Sequence, residues 1–441
     1  MKLKKAFISL LIMTLVVTNI SLVNISSVQA ATVETTSVQA ATVETTSVQA
    51  DSDKNTIKVS LDNIKEIMTE NNLDMKSYDN TLQIAKKTYT VKNDALDSEI
   101  KDLTTDIDVG GKYAEAITKA QDAVNAASGD TDAAALTQAK ADLKTAKADL
   151  ESAKTTLDTD KYTRTTLKST LKKANIAYEQ SIESAVKQAQ TDYINYLSLL
   201  SKEELAKSTL TSQEKEVQVS KIKYESGFIS KNENTTVLQK NTDDTNDFNK
   251  AKDDEEIAKT KLYTTLGISS GKNITFDTDI NEDFEVVSKI NYNDDLEKML
   301  GNNITIQIKN IDTDQLNDKI DNDDYDDDDD EDEENDINDY TKDNDEIAVK
   351  QAMTTAETEF KTQYNTLMNS YNSMMSSNDS LNQGKNTYST KQISYDYGFA
   401  SQKEVDDEKL NSLDTTSSTF QSDKNTFYAN YLRYIQMKEG Y

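Results

Sequence analysis

The sequence predicts an all-α protein built from long antiparallel helical hairpins in two tandem repeats, with little or no β-structure. Three observations carry that expectation. Proline is absent and only 10 glycines occur in 441 residues, so almost nothing in the chain breaks a helix. Apolar residues, 35% of the total, recur mostly at spacings of three and four. A ten-residue phrase is also written twice, with Gly227 at the centre of one copy and Gly398 at the centre of the other.

The two copies are Tyr224-Glu-Ser-Gly227-Phe228-Ile-Ser230-Lys-Asn-Glu233 and Tyr395-Asp-Tyr-Gly398-Phe399-Ala-Ser401-Gln-Lys-Glu404. Tyr193 and Tyr364, and Tyr263 and Tyr434, keep the same offset as the two glycines. A lone Gly between two apolar-periodic stretches can take a positive φ and end a helix without a Cβ clash. The Ser three residues later can cap the next helix, with the Glu at its third position closing a capping box. Each phrase therefore reads as the turn of a helical hairpin.

Bulk composition narrows the function. The apolar fraction falls below the roughly 45–50% usual in globular domains, and the mean hydropathy is −0.73. Narrow seams along thin helices fit that figure, as does partial disorder. Cys, His and Trp are absent, which excludes disulfides, thiolate and imidazole metal sites, and any triad that uses His. No catalytic residue, metal ligand or cofactor site is expected, and the chain does not read as an enzyme. A net charge of −30 argues against nucleic acid and anionic membrane surfaces as partners.

In chain order, residues 1–30 read as a secretory signal peptide. Lys2, Lys4 and Lys5 precede a twelve-residue apolar core from Ala6 to Val17, and Val28-Gln-Ala30 is a small-residue cleavage site. The core is too short to span a membrane comfortably, so the expectation is export. Residues 31–55 carry a tandem ten-residue duplication and read as a flexible leader. Residues 56–266 form the first repeat, with Ser60 as a helix N-cap and a break at Asn71-Asn72-Leu73. Gly110-Gly111 reads as a turn, and Gly129-Asp130 as a stop and restart.

Within that repeat lies a coiled-coil seam. Leu136, Leu143, Leu150 and Leu157 fall on a strict seven, with Ala139, Ala146 and Ala153 three residues after the first three. The segment of about 108–166 has no counterpart in the second half and reads as a 60-residue insertion. Residues 267–290 read as a linker with one short strand at Ile274-Thr-Phe276. Residues 291–437 form the second repeat, which restarts at Asn302-Asn303-Ile304 and is interrupted by an acidic loop at 311–345. Thirteen of the sixteen residues from Asp321 to Asp336 are acidic. They read either as a solvated, self-repelling linker or as a loop that collects Ca²⁺ weakly, although the glycine and bidentate glutamate of an EF-hand loop are missing.

The two Asn-Asn breaks, the Tyr193-Ile-Asn-Tyr196-Leu and Lys261-Leu-Tyr-Thr-Thr-Leu-Gly267 segments and the duplicated turn, taken in order, resemble the TolC-type outer-membrane efflux protein family. The resemblance covers about 57–107, 165–310 and 345–437. It implies a homotrimer whose helices build an α-barrel, with the hairpin turns at an entrance facing an inner-membrane pump and its adaptor. It implies a location in the cell envelope and export of solutes or proteins, with no bond made or broken. It places a gate tyrosine at Tyr395 and an acidic entrance ring at Glu233, Glu404 and Asp407. The gate's arginine would fall at Ala400, so its salt-bridged latch is missing. The family's membrane strands would fall at 105–135 and 311–345, and neither segment can face lipid as a strand. The chain would then cross the wall of a one-membrane cell as a helical tube. Alternatively, it is an exported surface coiled coil that keeps the scaffold without the channel.

Overall fold

Helices dominate because long runs of Ala, Lys, Asp, Thr and Leu propagate from turn to turn without a breaker. The computed structural model describes residues 56–128, 133–269, 273–278, 280, 284–322 and 331–441, all within one unit, Asp53–Tyr441. The signal peptide, the leader and the Gly129-Asp130 restart lie outside the described residues.

Strand β1 (Thr56–Val59) and a 3₁₀ turn (Leu61–Asn63) lead into α1 (Ile64–Asn71). Then come α2 (Leu73–Ile107), α3 (Lys112–Ser128), α4 (Ala133–Glu225) and α5 (Lys231–Leu266). The second half repeats the order with β2 (Asn273–Phe276), a 3₁₀ turn (Phe284–Lys289), α6 (Tyr292–Asn302), α7 (Ile304–Asn322) and α8 (Glu331–Asp396). It closes with α9 (Gln402–Glu408), a π-helical turn (Lys409–Asp414) and α10 (Thr415–Lys438).

β1 and β2 pair in parallel, Thr56 against Asn273 through Val59 against Phe276, so the two halves begin side by side. The expected strand at 274–276 is present, whereas β1 is an addition to the sequence reading. Its four residues acquire a reason to be extended only through a partner in the other half of the chain.

Each half opens with a short helix that stops at an Asn-Asn break. In the first, Asn72 Oδ1 accepts from the N–H groups of Asp74 and Met75 at 2.8 and 3.1 Å, starting α2. Its Nδ2 donates to the Thr265 carbonyl at 2.7 Å, tying the repeat's start to its end. Gly267, at φ +73°, packs there with no room for a Cβ. The second half repeats the device with Gly440, at φ +97°, against Asn302.

Gly110-Gly111 does not reverse the chain. Arg164 meets Asp97 at 2.8 Å, and Lys112 and Tyr113 line a surface cleft with Asp149. α2 and α3 are therefore successive stretches of one arm antiparallel to α4. A glycine pair inside a continuous packing stripe interrupts the helix without redirecting it, because the apolar seam on either side still faces α4. That seam is the expected one: Ala139, Ala153 and Leu157 are buried, and Leu136, Leu143, Ala146 and Leu150 are partly so.

The acidic interruption is shorter than 311–345. α7 runs to Asn322 and α8 begins at Glu331. Ile311 is buried in the packing of α7, which holds helix into a stretch whose composition argues for loop. The sequence of α8 opens with Glu331, Asp332, Glu333 and Glu334, a composition that suits the positive end of a helix dipole. Gln315 of α7 donates to Thr166 Oγ1 of α4 at 3.1 Å, so α7 ends about two turns farther on while α3 and α4 continue. At 1.5 Å per residue the stretch of α3 and α4 beyond the described end of α7 is roughly 30 Å long.

The core gathers where the roots of both repeats meet. Ile64, Met68, Tyr193, Leu197, Leu262, Leu266, Met299, Phe360, Leu367, Phe427 and Tyr434 are buried there together. From this root the hairpin α4–α5 and the hairpin α8–α9–α10 run toward the two glycine turns.

Candidate functional site at the paired hairpin turns

The ends of α4 and α8 are built identically. Gly227 has φ +75° and Gly398 has φ +76°. At the first turn the N–H of Phe228 reaches the Lys223 carbonyl at 2.8 Å and that of Gly227 the Tyr224 carbonyl at 3.0 Å. At the second, Phe399 reaches Ser394 at 2.7 Å and Gly398 reaches Tyr395 at 2.8 Å. This pair of bonds satisfies carbonyls the helix end would otherwise leave open, and it requires the left-handed residue that glycine supplies. No atom lies within 4 Å of a Cβ placed on either glycine, so conformation alone selects glycine here.

The following helices start with reciprocal caps. Glu233 N donates to Ser230 Oγ at 3.2 Å, and Ser230 N donates to Glu233 Oε2 at 2.7 Å. Glu404 N donates to Ser401 Oγ at 3.3 Å, and Ser401 N donates to Glu404 Oε2 at 2.7 Å. The backbone hydrogen bonds from Ser230 and Ser401 hold both glutamates below their ordinary carboxylate value although both are fully exposed. Each cap therefore supports its helix above the unfolded carboxylate value and loses that support as pH falls through the lowered folded value. Replacing Ser230 or Ser401 by Ala is expected to cost about 1 kcal/mol locally, read as faster amide hydrogen exchange confined to the first turn of α5 or of α9.

The turns stand at the same end of the unit. Lys403, two residues past the second N-cap, pairs with Glu216 of α4 at 3.2 Å, and Lys215 pairs with Asp406 at 2.8 Å. Burial opposes ionisation of Asp406, but hydrogen bonds from Lys215 and Gln402 outweigh it and hold the carboxyl below its ordinary value. Lys403 also binds Asp407, at 3.0 Å. That hydrogen bond, with Glu216 beside it, raises the Lys403 ammonium above its usual range.

Of the residues singled out in the sequence, Glu233 and Glu404 are thus exposed, ionised and engaged in caps, while the Asp407 charge is matched within the chain. Tyr224 and Tyr395 are each about two-fifths exposed. Phe228, Phe399 and Tyr397 protrude further, at 81, 86 and 75% exposure. The crossed ion pairs between the hairpins were not legible in the sequence, since their partners lie in different halves of the chain and neither belongs to a motif.

The second hairpin differs from the first at one level. The π-helical turn 409–414 brings the Ser412 carbonyl against Gly384, where a Cβ would lie 2.3 Å from its oxygen. The repeat-equivalent position in the first hairpin is Gln213, whose amide spans to the Val237 carbonyl at 3.1 Å beside an unbulged α5. A side chain fills the gap in one hairpin and backbone fills it in the other.

Among the described residues no helix is long and apolar enough to cross a membrane, and no group of three or more acidic side chains is placed to hold a metal ion. The side chains of 321–336, and with them the Ca²⁺ reading, lie outside the described set.

No protein-family model matches the chain, and no curated protein matches it in sequence. Solved structures do match. CusC aligns with a TM-score of 0.55 at 12% identity over 90% of this chain and 95% of that one. The open state of the Neisseria gonorrhoeae MtrE outer membrane channel aligns with a TM-score of 0.50 at 10% identity, over 86% of this chain and 89% of that one. With two repeats of long hairpins, equivalent glycine turns at one end and a shared root, the chain has the fold of the TolC-type outer membrane channels.

Proposed function

We propose that the chain is the protomer of a TolC-like duct in the cell envelope: a homotrimeric helical tube that exports solutes or proteins and makes or breaks no bond. The carrying observation is the pair of identically built turns held side by side, on a fold aligned over nine-tenths of the chain with an outer membrane channel. The turn end is the entrance and meets an inner-membrane pump and its adaptor. Across three copies Glu233 and Glu404 line it with negative charge, which favours cations over anions at close quarters. Asp407, matched by Lys403, adds little to that ring.

The crossed pairs Lys215–Asp406 and Lys403–Glu216 take the part of the latch that Ala400 cannot supply. Each is partly exposed and contributes on the order of 0.2–1 kcal/mol. Asp406 has a lowered folded value, so its support is present above the unfolded carboxylate value and is lost as pH falls through the folded one. The expected result is that spin labels on α4 and α9 near these pairs give a longer and broader distance distribution as pH falls through the lowered Asp406 value. Lys215→Ala with Lys403→Ala should give the same broadening at neutral pH.

A second reading, an exported surface coiled coil without channel activity, is favoured by the helices α3, α4, α7 and α8 standing where the channel family has membrane strands. Light scattering of the exported protein, with conductance measured on the assembled species, separates the two. A trimer that conducts, and loses cation preference in Glu233→Gln with Glu404→Gln, supports the duct. A monomer released freely into the medium supports the surface protein.

A further inference from the structure

The stretch of α3 and α4 beyond the described end of α7 is incompletely covered. α3 has no buried residue. On α4, Leu136, Leu143, Ala146 and Leu150 belong to the seam and are still only partly buried. Two thin helices cover the middle of such a seam and leave its two edges open, although covering the apolar face is what stabilises most helices in proteins.

The residues along those edges are sorted by sign. In the seven-residue repeat that sets Leu136, Leu143 and Leu150 on the seam, Lys140, Lys147 and Lys154 fall on one flank and Asp142 and Asp149 on the other. The two aspartates line one cleft with Tyr113 and Ala116 of α3, which fixes the side on which they stand. α3 answers neither flank. By the same repeat, its positions alongside the lysines are Ala114 and Gln121, and those alongside the aspartates are Ala116 and Ala123. Among the described residues Lys140, Lys147 and Asp149 have no ion-pair partner. Lys154 meets only Glu151 of its own helix, at 3.6 Å, and Asp142 accepts the Gln138 amide, at 2.8 Å.

We infer that a second copy of this chain covers these flanks: the lysine flank of one arm packs along the aspartate flank of the next, and the arms close into a six-helix bundle beyond the end of α7. The sign pattern decides the geometry. A twofold contact sets a flank against itself, lysine on lysine or aspartate on aspartate, which repels. A rotation that carries each arm onto the next sets unlike flanks together and closes a ring. About such an axis equivalent residues stand at equal height. Asp142 is then offset from the neighbouring copy's Lys140 by two residues, and Asp149 from its Lys147 likewise, roughly 3 Å along the helix. A lysine side chain spans that offset. The number of arms rests on the trimer proposed above, whereas the pairing of unlike flanks does not.

The test is pulsed electron paramagnetic resonance on the intact chain, with light scattering of the same sample. The chain has no cysteine, so a spin label on Ala141→Cys, exposed on α4, reports the separation between copies alone. A trimer with one short, narrow distance is expected. Lys140→Glu with Lys147→Glu should broaden it and raise the dissociation constant of the assembly about tenfold, as like charges then face each other. Asp142→Lys with Asp149→Lys should do the same. All four substitutions together should restore the narrow distance, which a role confined to one arm would not produce. Circular dichroism of each variant checks that the helices persist. A trimer whose labels stay far apart, reversal without effect, or no restoration in the fourfold variant would overturn the inference and leave the duct reading standing. A monomer or a twofold dimer would remove both.

Discussion

Gly267→Ala is expected to destabilise the protein by roughly 3 kcal/mol, far more than the same change at a hairpin turn. Two costs add at this position. Its φ of +73° places an L-residue in the left-handed region, at about 1 kcal/mol or more. A Cβ would also lie 2.6 Å from Asn72 Cα and 2.8 Å from the Asn71 carbonyl group. Those neighbours are backbone, so relief requires moving the start of α2 away from the end of α5, and overpacking of this kind costs roughly 1–3 kcal/mol. The movement would also stretch the Asn72 amide bond to the Thr265 carbonyl.

Two other glycines separate the contributions. Gly227 has nearly the same φ, +75°, with open space around it, so Gly227→Ala should show the conformational cost alone. Gly301 lies inside α6 with open space and no positive φ, so Gly301→Ala should be neutral or stabilising by up to about 1 kcal/mol. The order Gly301, Gly227, Gly267 in melting temperature, measured on one preparation by circular dichroism, is the checkable result. Equal losses at Gly227 and Gly267 would mean the Asn-Asn break and the repeat's end do not pack as described.

This series also marks how far the sequence could be read. The turns at Gly227 and Gly398 are local: every residue that makes them belongs to one short phrase, and each has a backbone reason to be there. The Asn-Asn breaks were visible as a repeated phrase, but their partners, Gly267 and Gly440, were not, because the contact joins the two ends of a repeat. β1 escaped notice for the same cause. The acidic segment reads in the opposite direction, since a block of like charge signals a loop while the packing of Ile311 carries α7 into it as helix.

Phe360→Ala is expected to be the most damaging single truncation in the second repeat, at roughly 3–5 kcal/mol. Phe360 is fully buried and packs face-on against Tyr434, with ring centroids 5.0 Å apart, and against Tyr292 at 5.7 Å. Removing the ring opens a cavity beneath Tyr434, whose hydroxyl donates to Asp295 at 2.8 Å. Asp295 is itself buried and paired with Lys438 at 2.5 Å. Burial first, and then the hydrogen bond to Asp295, raise the Tyr434 phenol well above its ordinary value, so it stays protonated and donating. A shift of Tyr434 into the cavity would therefore loosen both the ring stack and the neutral donor that meets that carboxylate. The first repeat answers the same need differently. Its equivalent of Phe360 is Ala189, also fully buried, and the aromatic contacts come instead from Phe276 of β2, which lies 4.7 Å from Tyr196 and 5.8 Å from Tyr263. Phe276 is only partly buried, so Phe276→Ala should cost clearly less than Phe360→Ala in urea unfolding. Hydrogen exchange should show the second hairpin loosening from its root in Phe360→Ala while α4–α5 stays protected, and the damage of Phe276→Ala should fall in the first repeat, around Tyr196 and Tyr263. Loss spread evenly over both hairpins would show that the shared core transmits the damage and that the two ring stacks do not hold their repeats separately.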